Sequence, residues 1–177
     1  DAEKTYHNIM TRFKFGNLKQ KGLYIDETTM RMCYTHRRLL GQTALQLIAE
    51  GKKQKAINIL KKADVEIPTY NVPLDYLNGG IDMARGWLMT GQKAKGKEYV
   101  EAIWKNASQY LNYYLSLPNN LFLQAEHDCI RQIMIMQSIC EAAGMVSPQL
   151  EKKYEKQLNN LYRLYHGRGG RMPEGNQ

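Results

Sequence analysis

Apolar residues recur at spacings of three and four along almost the whole chain, the mark of amphipathic helices rather than strands. From Glu3 to Phe15 they are Tyr6, Ile9, Met10 and Phe13, with Gly16 as the stop. A loop over 17–25 follows, and Asp26 or Thr28 then offers a side-chain oxygen to the orphan N–H groups of a new helix. That helix is predicted from about Glu27 to Glu50, with Met30, Tyr34, Leu40, Ala44, Leu47 and Ile48 in its buried stripe and Gly51 as its end. Lys52 to Val65 repeats the spacing in Ala56, Ile57, Leu60 and Ala63, after which Pro68 blocks continuation. So short a turn requires the two helices to pack antiparallel.

The unit then recurs. Tyr76 to Thr90 reads as helix in spite of Gly79, Gly80 and Gly86, and Gly91 closes it. From Lys93 the periodicity runs through Val100, Ile103 and Trp104 to about Tyr114, before Pro118. A third pair spans Leu121 to Ala143, carrying Ile130, Ile133, Met134, Met136, Gln137 and Cys140, and a helix opened by Ser147-Pro148 that reaches His166. Gly167 to Gln177 holds four glycines and one proline and reads as a mobile tail. The predicted organisation is a short N-terminal helix and loop over 1–25, a helical-hairpin domain over 26–166 (hairpins at 27–67, 76–114 and 121–166), and a flexible tail over 167–177.

The first hairpin follows the tetratricopeptide pattern of large, small, turn and closing residues. Leu40, Thr43, Ala44 and Leu47 take the first-helix positions, Gly51 the turn, and Ala56, Leu60, Ala63 and Pro68 the second-helix positions. Small side chains at Ala44 and Ala56 let the helices approach closely. In the second hairpin Gly80, Met83, Ala84 and Trp87 precede Gly91, and Gly96, Val100 and Ile103 follow it without a closing proline. The turn glycines lie 40 residues apart where the standard repeat has about 34. The third hairpin keeps only the architecture. The expected fold class is all-α, built of antiparallel helical hairpins in a tetratricopeptide-like right-handed α-α superhelix.

Composition agrees with a packed fold. The 177 residues are 43% hydrophobic and 24% charged, with five prolines, and a chain of this length buries a core without metal or disulfide. The net charge of +8 and pI near 9.3 would suit phosphates, acidic partners or an anionic membrane surface. The basic residues are scattered among acidic ones, however, and no nucleic-acid reading motif accompanies them. Cys33, Cys129 and Cys140 form no CxxC pair and lie in helix-like stretches, so buried free thiols are expected. No apolar run approaches the ~18 residues of a membrane span, and no signal segment opens the chain. Because the sequence begins at Asp1 directly in helix-like residues, either a piece of a longer protein or a processed chain is expected.

Candidate chemistry is sparse. His7, His36, His127 and His166 are far apart, and none has a second ligand at i+3 or i+4, so no metal site is expected. Glu126-His127-Asp128 point in different directions on a helix and read as solvated surface. There is no phosphate loop, nucleophile elbow or paired-carboxylate arrangement, so neither catalytic residues nor a cofactor are expected. Asn106-Ala-Ser108 matches a glycosylation sequon but falls within a helix. A binding face is easier to find. Arg31, Tyr34 and Arg38 recur at i, i+3 and i+7 on one face of the first long helix, and Asn78 and Arg85 take comparable places on the next. Guanidinium forks beside a tyrosine suit a carboxylate or phosphate of a partner, and Gly41 on the same face would leave room for a ligand backbone.

Four segments carry a resemblance: Lys4-Thr-Tyr-His-Asn-Ile-Met-Thr-Arg-Phe-Lys-Phe-Gly16, Gly22-Leu-Tyr-Ile-Asp-Glu-Thr-Thr-Met-Arg-Met32, Ile48-Ala-Glu-Gly-Lys-Lys-Gln-Lys-Ala-Ile57 and Tyr113-Tyr-Leu-Ser-Leu117. With these the chain resembles the C-terminal soluble region of a family of large multi-pass bacterial membrane proteins common in Bacteroidetes, known as domain of unknown function 2723. The membrane part of that family resembles protein O-mannosyltransferases that use lipid-linked sugars. The resemblance implies a parent protein whose sugar-transfer site lies upstream, and a periplasmic position next to the membrane. The expected function is a non-catalytic docking module that recognises acceptor polypeptide or a neighbouring domain of the same parent. The alternative is a basic helical module that binds nucleic acid or anionic lipid.

Overall fold

The computed structural model describes residues 2–172, and among them the regular structure is helical, in eight helices. These are α1 (Ala2–Thr11), α2 (Glu27–Ala49), α3 (Lys53–Glu66), α4 (Ile81–Met89), α5 (Lys93–Ser116), α6 (Asn119–Gln124), α7 (Glu126–Val146) and α8 (Pro148–Gly167), with a wide turn, Tyr76–Gly80, leading into α4. The chain divides into two compact units, Asp1–Ile103 and Trp104–Gln177, with the division inside α5.

Local chemistry accounts for the helix ends of the first unit. The Asp26 carboxylate caps α2 by accepting from Thr28 N (2.9 Å) and Thr29 N (3.0 Å). Gly51 closes the helix at φ 75, a left-handed turn that glycine enters without steric cost. Gly51 N–H then donates to Ile48 O (2.9 Å) and Lys52 N–H to Leu47 O (2.8 Å). Forty residues later the closure is repeated: Gly91 has φ 83, Gly91 N–H donates to Leu88 O (2.9 Å) and Gln92 N–H to Trp87 O (2.9 Å). Gly96 of α5 holds the place that Ala56 holds in α3, and it lies against Leu88 of α4 so closely that a Cβ there would be 2.5 Å from that side chain. The core of the unit contains Leu40, Ala44, Leu47, Ala56, Ile59, Leu60, Met83 and Val100, each fully buried.

Three predicted helices are shorter or divided. The first ends at Thr11, because Arg12 N–H and Phe13 N–H both donate to Asn8 O (2.8 and 3.1 Å). The chain then extends and lays Phe13 and Phe15 edge-on against His36, at centroid separations of 6.0 and 5.8 Å. The predicted helix over 76–90 begins regular winding only at Ile81, since Gly79 sits at φ 80 with its backbone against α2. The predicted helix over 121–143 starts earlier, at Asn119 after Pro118, and is interrupted at Ala125 (φ −91, ψ 6). Cys129, Gln132, Ile133, Met136, Ile139 and Cys140 are buried, whereas Met134 is 55% exposed and Gln137 is exposed.

Residues 2–25 belong to the first unit as packed structure. Glu3 reaches Lys52 (2.8 Å) and Lys55 (2.6 Å), Ile9 is fully buried, and the loop is tied to the end of the first hairpin by Asn71 Nδ2, which donates to Leu18 O (2.7 Å) and Gln20 O (2.6 Å). In the second unit Trp104 stacks on Tyr154 at 3.9 Å and donates Nε1–H to Gln157 Oε1 (3.1 Å). Ser147 caps α8 by accepting from Leu150 N (3.2 Å). The first residues of the predicted mobile tail are fastened to the unit. Arg168 donates to Leu115 O and to Asn119 Oδ1 (2.8 Å), and Arg171 O accepts from the Tyr165 hydroxyl (3.1 Å). Residues 173–177 of that tail lie outside the described residues.

Gly51 and Gly79, both left-handed, separate backbone strain from steric overlap. At Gly51 a Cβ meets nothing within 4 Å, but at Gly79 it falls 2.5 Å from Arg38 N and 2.7 Å from Arg38 Cα. Gly51→Ala should cost about 1 kcal/mol, the strain of a left-handed alanine. Gly79→Ala should cost more than twice as much, because α2 backbone has to move. Urea unfolding of both variants checks the ranking, and equal costs would show that the wide turn is not pressed on α2.

Candidate functional site

The candidate residues all lie in the first unit, where α2 meets the wide turn and α4. Two glycines make that meeting close. Beside the Gly79 contact, Gly41 of α2 stands against α4, and a Cβ on it would fall 2.7 Å from Asp82 Cβ and 3.2 Å from Met83 N. The room that Gly41 leaves is therefore filled by the protein's own α4. It is not open to a ligand backbone.

Beneath the face lies Arg37, one residue before Arg38 and only 1% exposed. It stands on the apolar stripe of α2, four residues after Cys33 and three before Leu40. Its guanidinium donates from Nη1 to Pro73 O (2.9 Å), and from Nη2 to Ile67 O (3.1 Å) and Val72 O (2.6 Å). Burial lowers its pKa, and the nearby Tyr99, Tyr34, Cys33 and Asp64 oppose that shift. A guanidinium still keeps its charge in such surroundings. Behind it the Tyr99 hydroxyl donates to Asp64 Oδ1, and Lys95 Nζ stands 3.3 Å from Asp64 Oδ2. Burial raises the Asp64 carboxyl above its ordinary 3.8, against the bonds and charge that Tyr99 and Lys95 supply.

The structure gathers some of the predicted residues and separates others. Arg38 is exposed and Arg85 half-buried, and both act electrostatically on the carboxylate of Asp82, which burial raises and they lower. Asn78, half-buried in the wide turn, precedes the glycine that rests on the Arg38 backbone. Arg38, Asp82 and Arg85 thus lie near one another. Arg31 lies nearly two turns away, fully displayed and paired with Glu27 at 2.5 Å. Tyr34 is half-buried and adds to the groups that oppose the lowering of the Arg37 pKa. Pattern reading did not identify Asp82 or Arg37. The i, i+3 spacing of Asp82 and Arg85 was a usable signal for the first, and the apolar neighbours at 33, 40 and 44 for the second.

The cysteines are buried, as expected. In the second unit Cys140 borders a groove of about 440 Å³ between α7 and α8, with Glu141, Glu151 and Glu155 around it. Burial first, and then these carboxylates, push the thiol up to about 11. It is protonated at neutral pH and unsuited to nucleophilic attack. Among the described residues no group of His, Cys, Asp and Glu side chains is arranged to hold a metal ion, and no helix is long and apolar enough to cross a membrane. Glu126 of the Glu-His-Asp triplet is more than solvated surface: its Oε1 accepts from the Tyr165 hydroxyl and from Arg171 N, each at 3.3 Å.

Comparison of the chain with protein-family models, with curated proteins and with solved structures gives no match in any of the three.

Two measurements follow for the buried charges. Arg37→Met should destabilise the first unit by at least about 3 kcal/mol, because three carbonyls lose a charged donor at once; a loss below 1 kcal/mol in urea unfolding would mean that those carbonyls find other partners. Asp64 has a folded-state pKa above its unfolded one. The folded protein thus holds the proton over the window just above pH 3.8, and stability falls as pH rises through it. Asp64→Asn should match the wild type below that window and gain on it as pH rises, which unfolding at acidic and neutral pH can compare.

Proposed function

We propose that this chain is a non-catalytic docking module that holds an extended polypeptide, from a partner or from a neighbouring domain of the same parent protein, on the face formed by α2 and α4. The observation that carries this reading is the Arg38–Asp82–Arg85 cluster. Two guanidinium groups, one exposed and one half-buried, lie near enough to one half-buried carboxylate to lower its pKa, and guanidinium forks so placed suit a ligand carboxylate or phosphate. Leu39, Leu77 and Met89, between 36% and 54% exposed, offer apolar contacts near it.

The architecture we propose for the first two hairpins is tetratricopeptide-like, a right-handed α-α superhelix. Its support is the turn closure repeated at 40 residues and the small residues Gly41, Ala56, Gly86 and Gly96 at helix contacts. In such an arrangement first helices of successive hairpins line the ligand side, the positions that α2 and α4 hold here. From the four resembling segments we further propose that the domain is the soluble C-terminal part of a larger membrane-bound, glycosyltransferase-like protein and faces the periplasm.

Screening the purified chain against a peptide library tests the docking reading. Saturable binding should weaken about ten-fold in Arg38→Ala/Arg85→Ala, the scale of a truncated charged anchor, and should change less in Arg31→Ala, whose side chain already has Glu27. No saturable peptide binding, or binding indifferent to Arg38 and Arg85, would sink it. The parent-protein reading predicts that antibodies against the chain detect, in the native host, a membrane-fraction polypeptide much larger than 20.5 kDa.

A further inference from the structure

The loop that joins α1 to α2 is rich in cations. From Lys4 to Ile25 the sequence has no Asp or Glu, while Lys4, Arg12, Lys14, Lys19 and Lys21 all fall within it. Two other acid-free stretches, 28–49 and 156–173, carry fewer cations. The acids that border the loop already have partners. Glu3 holds Lys52 and Lys55, Asp26 caps α2, Glu27 holds Arg31, and Glu66 of α3 stands 3.0 Å from Lys19. Arg12, Lys14 and Lys21 are exposed beyond these pairs. Lys62 of α3 donates to Met10 O (3.4 Å), which brings another cation to the start of the loop.

The backbone that carries these cations is held from beneath. Leu18 is buried, Asn71 binds the carbonyls of Leu18 and Gln20, and the Tyr70 hydroxyl donates to Lys19 O (2.7 Å). Alternation along the extended stretch turns Phe13 and Phe15 toward His36 and Arg12 and Lys14 outward. Beyond Gly22 the loop ends in an apolar tip: Tyr24 is 90% exposed and Leu23 36%. Tyr70, 53% exposed, lies under the Lys21 ammonium at 5.6 Å.

We infer that the loop over residues 12–24, together with Tyr70, is a peripheral contact for an anionic lipid bilayer. Cations on a fixed backbone meet the negative surface potential of acidic headgroups, and a tyrosine places its ring in the headgroup region with its hydroxyl toward water. Single-stranded nucleic acid is the less suitable occupant. It calls for several aromatic faces to stack successive bases, and the two phenylalanines of this loop are spent on His36. The inference uses a surface separate from the α2/α4 face and does not depend on polypeptide docking there.

Co-sedimentation of the whole chain with phosphatidylcholine vesicles, with and without phosphatidylglycerol, tests it. Binding should require phosphatidylglycerol and weaken as salt rises past the range where the screening length nears 10 Å. Arg12→Glu/Lys14→Glu/Lys21→Glu should reduce it by at least roughly a hundred-fold, from about five-fold for each cation lost, with helix content by circular dichroism unchanged. Tyr24→Ser should weaken binding and leave its salt dependence as before, while Tyr24→Trp should show a blue-shifted emission on vesicle addition. Arg38→Ala/Arg85→Ala should bind vesicles like the wild type. The inference is overturned by absence of phosphatidylglycerol-dependent binding, by charge-reversal variants that bind unchanged, by loss of binding in the Arg38/Arg85 variant, or by a single-stranded RNA that displaces the vesicles and binds independently of Tyr24.

Discussion

The guanidinium of Arg37 is buried in the first unit and bonded to three backbone carbonyls, those of Ile67, Val72 and Pro73. Removing a cation from water is costly unless its donors are satisfied, and carbonyl dipoles at the end of a helix and in the following loop supply that satisfaction. The bonds also fix geometry. They attach the C-terminal end of α3 and the connection after it to the middle of α2, so the chain enters the wide turn at one place. Gly79 then lands on the backbone of Arg37 and Arg38, and Gly41 receives Asp82. Without that attachment, nothing local to the Pro68–Asp75 connection would determine where α4 meets α2.

The exposed chemistry of the face is a consequence of the buried one. Arg38 follows Arg37 in sequence, so the helix that points Arg37 inward points Arg38 outward, beside the carboxylate that α4 brings. Asp82 has its carboxyl raised by burial and lowered by Arg85 and Arg38, so the three groups form one electrostatic unit on a rigid base. Arg31 belongs to the same stripe of α2 but lies beyond the end of α4, and it answers to Glu27. The basic loop is a second rigid display: Asn71 and Tyr70 hold its carbonyls, and the side chains above are left to solvent. Two surfaces of different chemistry therefore depend on the connection between α3 and α4, one through Arg37 and the other through Asn71.

The repeat of the first unit has a physical basis in its turns. Gly51 and Gly91 adopt the same left-handed conformation, and their neighbours make the same pair of bonds. What differs is the packing of the second helix of each hairpin, where Ala56 in one becomes Gly96 in the other because Leu88 occupies the space a methyl group would need. The third hairpin turns by another device, an extended Ser147 that ends α7 and caps α8.

Helical periodicity, cap residues and turn glycines determined by themselves that the regular structure of the described residues is helical, that α2 starts after Asp26, that α2 and α3 reverse at Gly51 and α4 and α5 at Gly91, and that Ser147 opens α8, because these depend on bonds among residues close in sequence. The face of α2 that bears Arg31, Tyr34 and Arg38 was equally legible as a spacing. Tertiary structure alone decided the rest. The first helix ends at Thr11 so that Phe13 and Phe15 can reach His36, the helix predicted over 76–90 yields its first turn to a glycine pressed on α2, and Arg168 and Arg171 fasten residues that composition alone marks as tail. The same holds for the site: Arg38, Asp82 and Arg85 come together because two glycines let helices touch, and Arg37 lies inside because three carbonyls from 30 to 36 residues away meet it. Contacts of that sequence separation leave no periodic trace, since each residue type involved is also common on an ordinary helix surface.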